Sequence, residues 1–354
     1  MKSKTHKISI PTILKIGKGA FKYVEEILHD ENIEDVMFIL DENMYKMLHE
    51  NIEDIIKNLD ITSNYKIIEP NTKIEDLISI SYSLDSKIEL LVGIGGGSII
   101  DRTKYISYLK KIPWLSVPTS PSNDGFSSPL SSLYINNKRV SVPAKMPYGI
   151  VIDTDIIMNC PIHMLISGIG DSVSNITAVY DMNLESNKKM INNDDFSAMV
   201  SLQSIDTLLK VQTQDIRSDE FITHLVESLT MSGIAMEIAG SSKPSSGSEH
   251  LISHALDQLL GVNNYPHGIQ VGISTYIVSL LQKNRSNEID TFFTLTGFWD
   301  YVKTLKIKRE SIEEAIMVAP SIKKNRYTVL SIEGNRQKAI HLLVTDKMLS
   351  KILI

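Results

Sequence analysis

The chain has 354 residues, of which 42% are hydrophobic and 22% charged, and its formal net charge is −6. This length allows two domains with a sizeable core, and the mild acidity argues against nucleic acid as the main partner. The single cysteine, Cys160, excludes an intramolecular disulfide, and the longest apolar run, 271–281, is too short to span a bilayer. Because the N-terminus has no apolar run typical of a signal peptide, we expect a cytoplasmic protein.

The first part of the chain alternates short apolar runs with helical patterns. The buried strands predicted in this way are 36–40, 90–94 and 114–117, and the amphipathic helices are 44–59 and 74–84. Strands that alternate with helices predict a parallel sheet covered on both faces. The segment 133–142, with Asn136 and Asn137 at its turn, predicts a hairpin.

From about Cys160 onward the strand patterns disappear and long amphipathic stretches follow. The helices predicted there are 193–212, 218–239, 249–260, 268–282 and 312–318. We therefore predict an α/β chain with a Rossmann-like dinucleotide-binding domain at 1–157 and an all-helical domain at 158–354. The site is expected in the cleft between them, because α/β sheets bind ligands at the carboxyl ends of their strands.

Three consecutive glycines, Gly95, Gly96 and Gly97, follow an apolar strand and precede a helix. Glycines let a backbone approach a ligand closely, and a helix N-terminus offers free N–H groups, so this loop predicts pyrophosphate binding. The alternative is a tight turn without a ligand, although such a turn needs fewer glycines. Ser98 and Asp101 fit a helix N-cap arrangement. The loop has neither the Walker pattern nor the G-x-G-x-x-G order.

Polar side chains follow two other predicted strands. The loop 118–125 carries small hydroxyl side chains that can contact a cofactor, and its Asp124 can accept a hydrogen bond from a sugar-like hydroxyl. A plain polar loop explains these residues equally well. Asp41 follows the strand 36–40 and either holds an adenosine ribose hydroxyl or caps the helix that begins near Asn43.

Three histidines, His250, His254 and His267, lie within eighteen residues. His250 and His254 are four residues apart and share a helix face, while His267 can return from the following loop. A catalytic zinc site uses three protein ligands, and Asp171, where flexible glycines meet a new helix, is the expected carboxylate ligand. The alternative is that Asp171 only caps that helix and that the histidines are structural. The spacing is not H-E-x-x-H, so a zincin protease is not indicated.

Taken together, these motifs resemble the iron-containing alcohol dehydrogenase and dehydroquinate-synthase-like superfamily, which includes glycerol dehydrogenases, and within it the glycerol-1-phosphate dehydrogenases. The resemblance runs nearly end to end. The segments that carry it are 95–101 with Lys104, 117–119, 123–125, 168–171, 246–250 with His254, 267–268 and 326–330.

The resemblance implies that Asp171, His250 and His267 hold a Zn²⁺ ion or another divalent ion such as Fe²⁺ or Ni²⁺. It implies that Asp124 and His254 contact the substrate, as we also predict for Asp171, and we predict Asp124 and His254 as catalytic residues. Binding of NAD or NADP is implied for Gly95, Gly96, Gly97, Ser98, Asp101, Thr119, Ser120, Ser122 and Ser128, in addition to Asp41. Ser98 and Asp41 depart from the family pattern, which leaves the coenzyme preference open.

The implied activity is hydride transfer between NAD(P) and the secondary alcohol or ketone of a small polyol phosphate, sn-glycerol-1-phosphate and dihydroxyacetone phosphate, for phospholipid biosynthesis. Lys243, Ser245 and Arg326 are the candidates for binding the phosphate. An NAD-dependent glycerol dehydrogenase is the first alternative. A cyclising lyase like dehydroquinate synthase is disfavoured, because it needs a dense Lys/Arg cluster and 241–249 contains only Lys243. We expect a small-molecule substrate, no membrane insertion and a homo-oligomer.

Overall fold

The structure is a computed structural model that describes residues 8–135, 138–189, 194–261 and 264–354. The chain divides into two compact units. The first unit runs to Pro121 and resumes over Gly125–Cys160, and the second comprises Ser122–Asp124 and Pro161–Ile354. None of the described helices combines the length and the apolarity that crossing a bilayer requires.

The strands belong to the first unit. They are β1 (Ile13–Gly17), β2 (Asp35–Leu40), β3 (Thr62–Ile67), β4 (Leu90–Gly95), β5 (Trp114–Pro118), β6 (Leu130–Ile135), β7 (Lys138–Pro143) and β8 (Gly149–Asp153). Among the described residues, six strands form a parallel sheet in the order β1-β8-β5-β4-β2-β3, and β6 pairs with β7 in an antiparallel ribbon. The three predicted strands are confirmed as β2, β4 and β5. The predicted hairpin is confirmed as β6 and β7, and its turn at 136–137 lies outside the described residues.

Helices accompany the sheet in the first unit. They are α1 (Tyr23–Asp30), α2 (Glu42–Leu59), α3 (Ile74–Ser83), α4 (Gly97–Lys110) and α5 (Thr154–Met158). The core packs side chains of α2, such as Ile52, against strand residues such as Phe38, Val92 and Val117. Because β4 and β5 are buried along their whole length, the sequence shows continuous apolar runs there rather than alternation.

The described part of the second unit consists of helices joined by loops, with one isolated β-bridge between Ile307 and Leu353. Its helices are α6 (Ile162–Val173), α7 (Asn175–Lys189), α8 (Asp195–Leu208), α9 (Asp219–Ala239), α10 (Ser248–Leu260), α11 (His267–Gln282), α12 (Ser286–Leu295), α13 (Phe298–Thr304), α14 (Arg309–Ile322), α15 (Glu333–Thr345) and α16 (Leu349–Ile352). The five predicted helices are confirmed as α8, α9, α10, α11 and α14, with α8 shorter and α14 longer than predicted. Residue 193, the predicted start of the first, lies outside the described residues.

Candidate metal centre and cofactor loop

Asp171, His250 and His267 come together in the second unit, with one potential ligand atom of each within 4.8 Å of the others. Asp171 lies in α6, His250 in the first turn of α10, and His267 is the first residue of α11. Oδ1 of Asp171 is 3.6 Å from Nε2 of His250 and 3.9 Å from Nε2 of His267. Ligand atoms at about 2.1 Å from a tetrahedral ion lie about 3.4 Å apart. The three side chains are therefore close to the arrangement that a shared metal ion needs.

One oxygen of the Asp171 carboxylate has a hydrogen-bond partner and the other does not. Its Oδ2 accepts a hydrogen bond from the backbone N–H of Asp124 at 3.1 Å. Its Oδ1 is buried and has no hydrogen-bond partner among the described residues. A buried oxygen without a partner is costly, and a cation between Oδ1 and the two imidazoles offsets that cost. The donor set of two nitrogens and one carboxylate oxygen fits a divalent metal.

The second nitrogen of each histidine has a partner. Nδ1 of His250 is 3.0 Å from Oε1 of Glu249, and Nδ1 of His267 is 3.1 Å from the hydroxyl of Ser253. Such hydrogen bonds orient an imidazole so that its Nε2 faces the metal. We did not predict Glu249 from the sequence, although a carboxylate beside a proposed imidazole ligand is the residue type that performs this orientation.

Electrostatics also favour a cation at this position. Burial disfavours a charged imidazole, but the carboxylates of Asp171 and Glu249 outweigh burial and raise the pKa of His250 to about 9. Glu249 is fully buried, and its Oε2 accepts a hydrogen bond from the hydroxyl of Thr177 at 2.8 Å. Two buried carboxylates thus surround the imidazole of His250 with negative charge.

The glycines near the metal ligands have a different role from the predicted one. The interpretation that flexible glycines precede Asp171 at the start of a helix is wrong, because Gly168, Gly170 and Asp171 all lie inside α6. A Cβ on Gly170 would lie 2.1 Å from the backbone oxygen of Gly268, and a Cβ on Gly268 would lie 1.9 Å from that of Ser167. The glycines therefore let α6 and α11 approach closely, which brings Asp171 to His267.

Asp124 and His254 lie beside the metal-ligand atoms. The carboxylate of Asp124 accepts a hydrogen bond from the hydroxyl of Ser232 at 2.8 Å, while its backbone N–H holds Asp171. The ring of His254 is 6.4 Å from that of His250 and 6.0 Å from that of His267, centroid to centroid. The i,i+4 spacing thus places His254 next to the ligands, and its catalytic role, like that of Asp124, stays a prediction.

The three residues predicted to bind the phosphate differ in the ion pairs and hydrogen bonds that they form within the protein. Nζ of Lys243 forms an ion pair with Oε2 of Glu185 at 2.7 Å. The hydroxyl of Ser245 is buried and hydrogen-bonded to that of Ser232 at 2.8 Å. Arg326 donates to the hydroxyl of Ser242 at 3.0 Å and to the backbone oxygen of Ser246.

The glycine loop lies in the first unit, where β4 ends at Gly95 and α4 begins at Gly97. The predicted N-cap role of Ser98 and Asp101 is wrong. Gly96 occupies the N-cap position without a side-chain cap, so the helix begins before Ser98. The carboxylate of Asp101 turns instead to the ammonium of Lys104, 3.2 Å away, because that fully buried cation needs a counter-charge.

The three positions Gly93, Gly95 and Gly96 meet different surroundings. A Cβ on Gly93 would lie 2.8 Å from the side chain of Thr103, and one on Gly95 would lie 2.8 Å from Ile99. A Cβ on Gly96 would meet only the hydroxyl of Ser120, at 3.4 Å.

The hydroxyl of Ser120 is buried and has no hydrogen-bond partner among the described residues. The space above Gly96 and this unsatisfied hydroxyl fit a bound phosphate group beside the N-terminus of α4.

Other predicted cofactor residues have partners within the protein. Lys104 donates to the hydroxyl of Ser128 at 3.3 Å and to the backbone oxygens of Gly125 and Leu130 at 2.5 and 2.6 Å. Ser128 and Asp101 are thus part of one buried network around Lys104. This network joins α4 to the segment that leads into β6.

The remaining predicted cofactor residues lie in loops and at a helix end. The backbone N–H of Thr119 donates to the oxygen of Gly95 at 3.0 Å. Ser122 belongs to the second unit, where its backbone oxygen accepts a hydrogen bond from Ser167 at 2.9 Å. Asp41 accepts from the first backbone N–H groups of α2 and is its N-cap, so the capping alternative is confirmed. Its contact with a ribose stays a prediction.

Known proteins resemble this chain along nearly its whole length. The family described as iron-containing alcohol dehydrogenase matches residues 15–161. The glycerol-1-phosphate dehydrogenase (NAD(P)+) of Metallosphaera sedula is 32% identical over 335 residues, which cover 93% of this chain and 94% of that protein. The Pyrococcus horikoshii protein of the same name is 37% identical over 295 residues, covering 83% and 85%.

Solved structures share the fold. Glycerol dehydrogenase from Schizosaccharomyces pombe superposes with a TM-score of 0.78 at 19% identity, covering 99% of this chain and 92% of that one. Sulfoacetaldehyde reductase from Bifidobacterium kashiwanohense, in complex with NAD+, gives 0.76 at 14% identity, covering 98% and 100%. The predicted α/β fold with a helical second part is confirmed. By its sequence and its fold, the chain belongs to the glycerol-1-phosphate dehydrogenase family of the iron-containing alcohol dehydrogenases.

Proposed function

We propose that the protein transfers a hydride between NAD(P) and the secondary alcohol of sn-glycerol-1-phosphate, or in reverse to the ketone of dihydroxyacetone phosphate. Oxidation moves the C–H hydride to the nicotinamide ring and releases the hydroxyl proton. Reduction returns both, the proton going to the carbonyl oxygen. The curated relatives that cover most of the chain are named for this activity.

The observation that carries the proposal is the convergence of Asp171, His250 and His267 around the unsatisfied Oδ1 of Asp171. We propose Zn²⁺ for these donors, since zinc is commonly held by imidazole nitrogens and a carboxylate. A bound divalent ion supplies a Lewis acid that polarises a hydroxyl or carbonyl oxygen.

The remaining chemistry belongs to side chains beside these ligands. Asp124 is held in place by Ser232 and by its own backbone bond to Asp171, so its carboxylate can orient a substrate hydroxyl. We propose that either Asp124 or His254 relays the proton between the substrate and water. Gly96 and Ser120 hold the cofactor pyrophosphate.

The test compares dihydroxyacetone phosphate with dihydroxyacetone, each with NADH and with NADPH, on protein of known metal content. Two charge-assisted contacts to a phosphate, at roughly 1.5–3 kcal/mol each, predict a preference of about a hundredfold or more in kcat/KM. Equal efficiency on the two ketones contradicts the phosphate substrate and favours plain glycerol dehydrogenase. Metal analysis of the purified protein distinguishes zinc from iron or nickel.

A further inference from the structure

Two cations beside α10 are not used by the metal centre. Lys323 directly follows α14, and Arg326 comes three residues later. Both side chains are partly buried. Helix α14 packs against α10, the helix that carries His250, and Arg326 donates to the backbone oxygen of Ser246, four residues before that histidine.

Arg326 is held in a defined orientation by neutral acceptors. Its guanidinium donates to the hydroxyl of Ser242 at 3.0 Å and to the backbone oxygen of Ser246, in the segment that leads into α10. A guanidinium has five N–H donors in a planar fork, and these two bonds leave others for a further acceptor. No carboxylate in the described ranges forms an ion pair with it at contact distance.

Lys323 is more isolated. Its ammonium makes no hydrogen bond and no ion pair with any residue that the structure describes. Burial lowers the pKa of Lys323 to about 8, and the charge of Arg326 adds to this effect while Glu249 opposes it. Two neighbouring, partly buried cations repel each other, which is unfavourable unless an anion joins them.

The carboxylates nearby are already engaged. Glu185 forms ion pairs with Lys189 at 2.5 Å and with Lys243 at 2.7 Å. Glu249 is committed to His250 at 3.0 Å. Lys243, a sequence-predicted phosphate ligand, therefore has a carboxylate partner at contact distance. Lys323 and Arg326 form no such ion pair among the described residues, although Glu249 acts on both from a longer distance.

Asp181 is the third acid of this region. Its carboxylate accepts hydrogen bonds from the backbone N–H groups of Ser248 and Val329 at 2.7 and 2.8 Å. Burial and the neighbouring Glu249 raise its pKa to about 7. Asp181 is therefore held by backbone groups and forms no ion pair with either cation among the described residues.

We propose that Lys323 and Arg326 bind the phosphate dianion of the substrate, an assignment that rests on the proposed function. A phosphate monoester brings two negative charges and several acceptor oxygens, which match one ammonium and the remaining edge of a guanidinium. The same chemistry occurs in inorganic phosphate and in the 2′-phosphate of NADPH, so the experiment includes both.

The experiment compares the wild-type protein with Lys323→Gln, Lys323→Arg and the control Lys324→Gln, all loaded with Zn²⁺. Lys324 is the exposed neighbour, and its substitution removes the same charge from the same segment. The measurements are kcat/KM for dihydroxyacetone phosphate and dihydroxyacetone, KM for NADH and NADPH, and calorimetric binding of inorganic phosphate. Since the ammonium of Lys323 has no polar partner among the described residues, its loss removes no internal hydrogen bond or ion pair there.

In Lys323→Gln we expect the preference for the phosphorylated ketone to fall by about tenfold or more, the equivalent of about 1.4 kcal/mol. Inorganic phosphate should bind correspondingly more weakly, Lys323→Arg should restore most of the preference, and Lys324→Gln should match wild type. An unchanged preference, or an equal loss in Lys324→Gln, overturns the assignment. A change confined to NADPH against NADH also overturns it, because the anion is then the cofactor phosphate.

The proposed function fails in a different way. If wild-type protein shows no preference for the phosphorylated ketone, but Lys323→Gln loses binding of inorganic phosphate, the anion site stands and the glycerol-1-phosphate activity does not. If the wild-type preference is present and survives in Lys323→Gln, the activity stands and the anion site does not.

Discussion

The glycine loop of the first unit and the candidate metal centre of the second are constructed in different ways. The loop is contiguous in sequence: one strand ends, one helix begins, and Gly96 keeps the space between them open. The metal centre takes one side chain from each of three helices and depends on the close contact of Gly170 with Gly268. A single substitution within the glycine loop can therefore block its binding function. The candidate metal centre can be disrupted both by replacing a ligand and by changing the packing between segments that are distant in sequence.

The largest effect is expected from removing a metal ligand. Asp171→Ala, His250→Ala and His267→Ala should each lose bound metal and activity together, because three protein ligands are needed to hold a catalytic ion. Loss of about 4 kcal/mol of charge stabilisation corresponds to roughly a thousandfold in rate. Metal content and kcat are measured on the same samples, while cofactor affinity, which depends on the glycine loop, should change little. Full metal content in any of the three variants removes that residue from the site.

A smaller effect on the same centre is expected from Glu249→Gln. The amide keeps the shape of the side chain but removes the charge that holds Nδ1 of His250, and such partners typically contribute 10–100-fold in metal affinity. The measurement is a chelator competition with Zn²⁺ on the folded apoprotein.

The matched control is Glu227→Gln, since Glu227 also faces a histidine, His224 at 3.5 Å, but outside the metal centre. An unchanged affinity in Glu249→Gln, with the control also unchanged, refutes the orienting role.

The glycine loop provides the contrasting test. Gly96→Val should weaken NADH or NADPH binding by about tenfold or more while the melting temperature is retained, because the new side chain fills the space beside Ser120. Gly93→Val should lower the melting temperature and leave the affinity of the folded protein for the cofactor little changed. Its side chain would collide with Thr103, and overpacking typically costs about 1–3 kcal/mol of stability.

Cofactor affinity from fluorescence and melting temperature from calorimetry separate the two effects. If Gly96→Val binds cofactor as well as wild type, the loop does not hold the pyrophosphate.

The smallest effect concerns pH. The folded protein lowers the pKa of Lys323 to about 8, so its ammonium is present below that pH and is lost as pH rises through it. Arg326 and Glu249 are the charged groups that act on Lys323, and a guanidinium is not deprotonated in proteins. The phosphate is a dianion above about pH 6. The preference for dihydroxyacetone phosphate over dihydroxyacetone should therefore decline above pH 8 in wild type and be flat in Lys323→Gln. A decline of equal size in both proteins contradicts this origin.

Periodicity and local motifs predicted the fold class, the hairpin and three of the six strands described in the parallel sheet, whereas β1, β3 and β8 were not predicted. Continuous apolar runs predicted β2, β4 and β5 because buried parallel strands need apolar side chains on both faces. β3 was missed, because its sequence, TSNYKI, places polar residues on an edge strand that is only partly buried. The sequence also predicted the glycine loop and the three candidate metal ligands.

Tertiary structure decided what each of these residues contacts. The sequence shows glycines at 168 and 170, but only the packing of α6 on α11 shows that they permit close approach instead of flexibility. The sequence likewise shows Lys243 and Lys323 as equivalent cations. Only the fold reveals that Glu185 neutralises the first, while the second lies beside Arg326 without a counter-ion among the described residues. The physical reason is general: hydrophobic periodicity is a property of neighbouring residues, whereas charge balance and steric fit depend on residues that meet only in the folded chain.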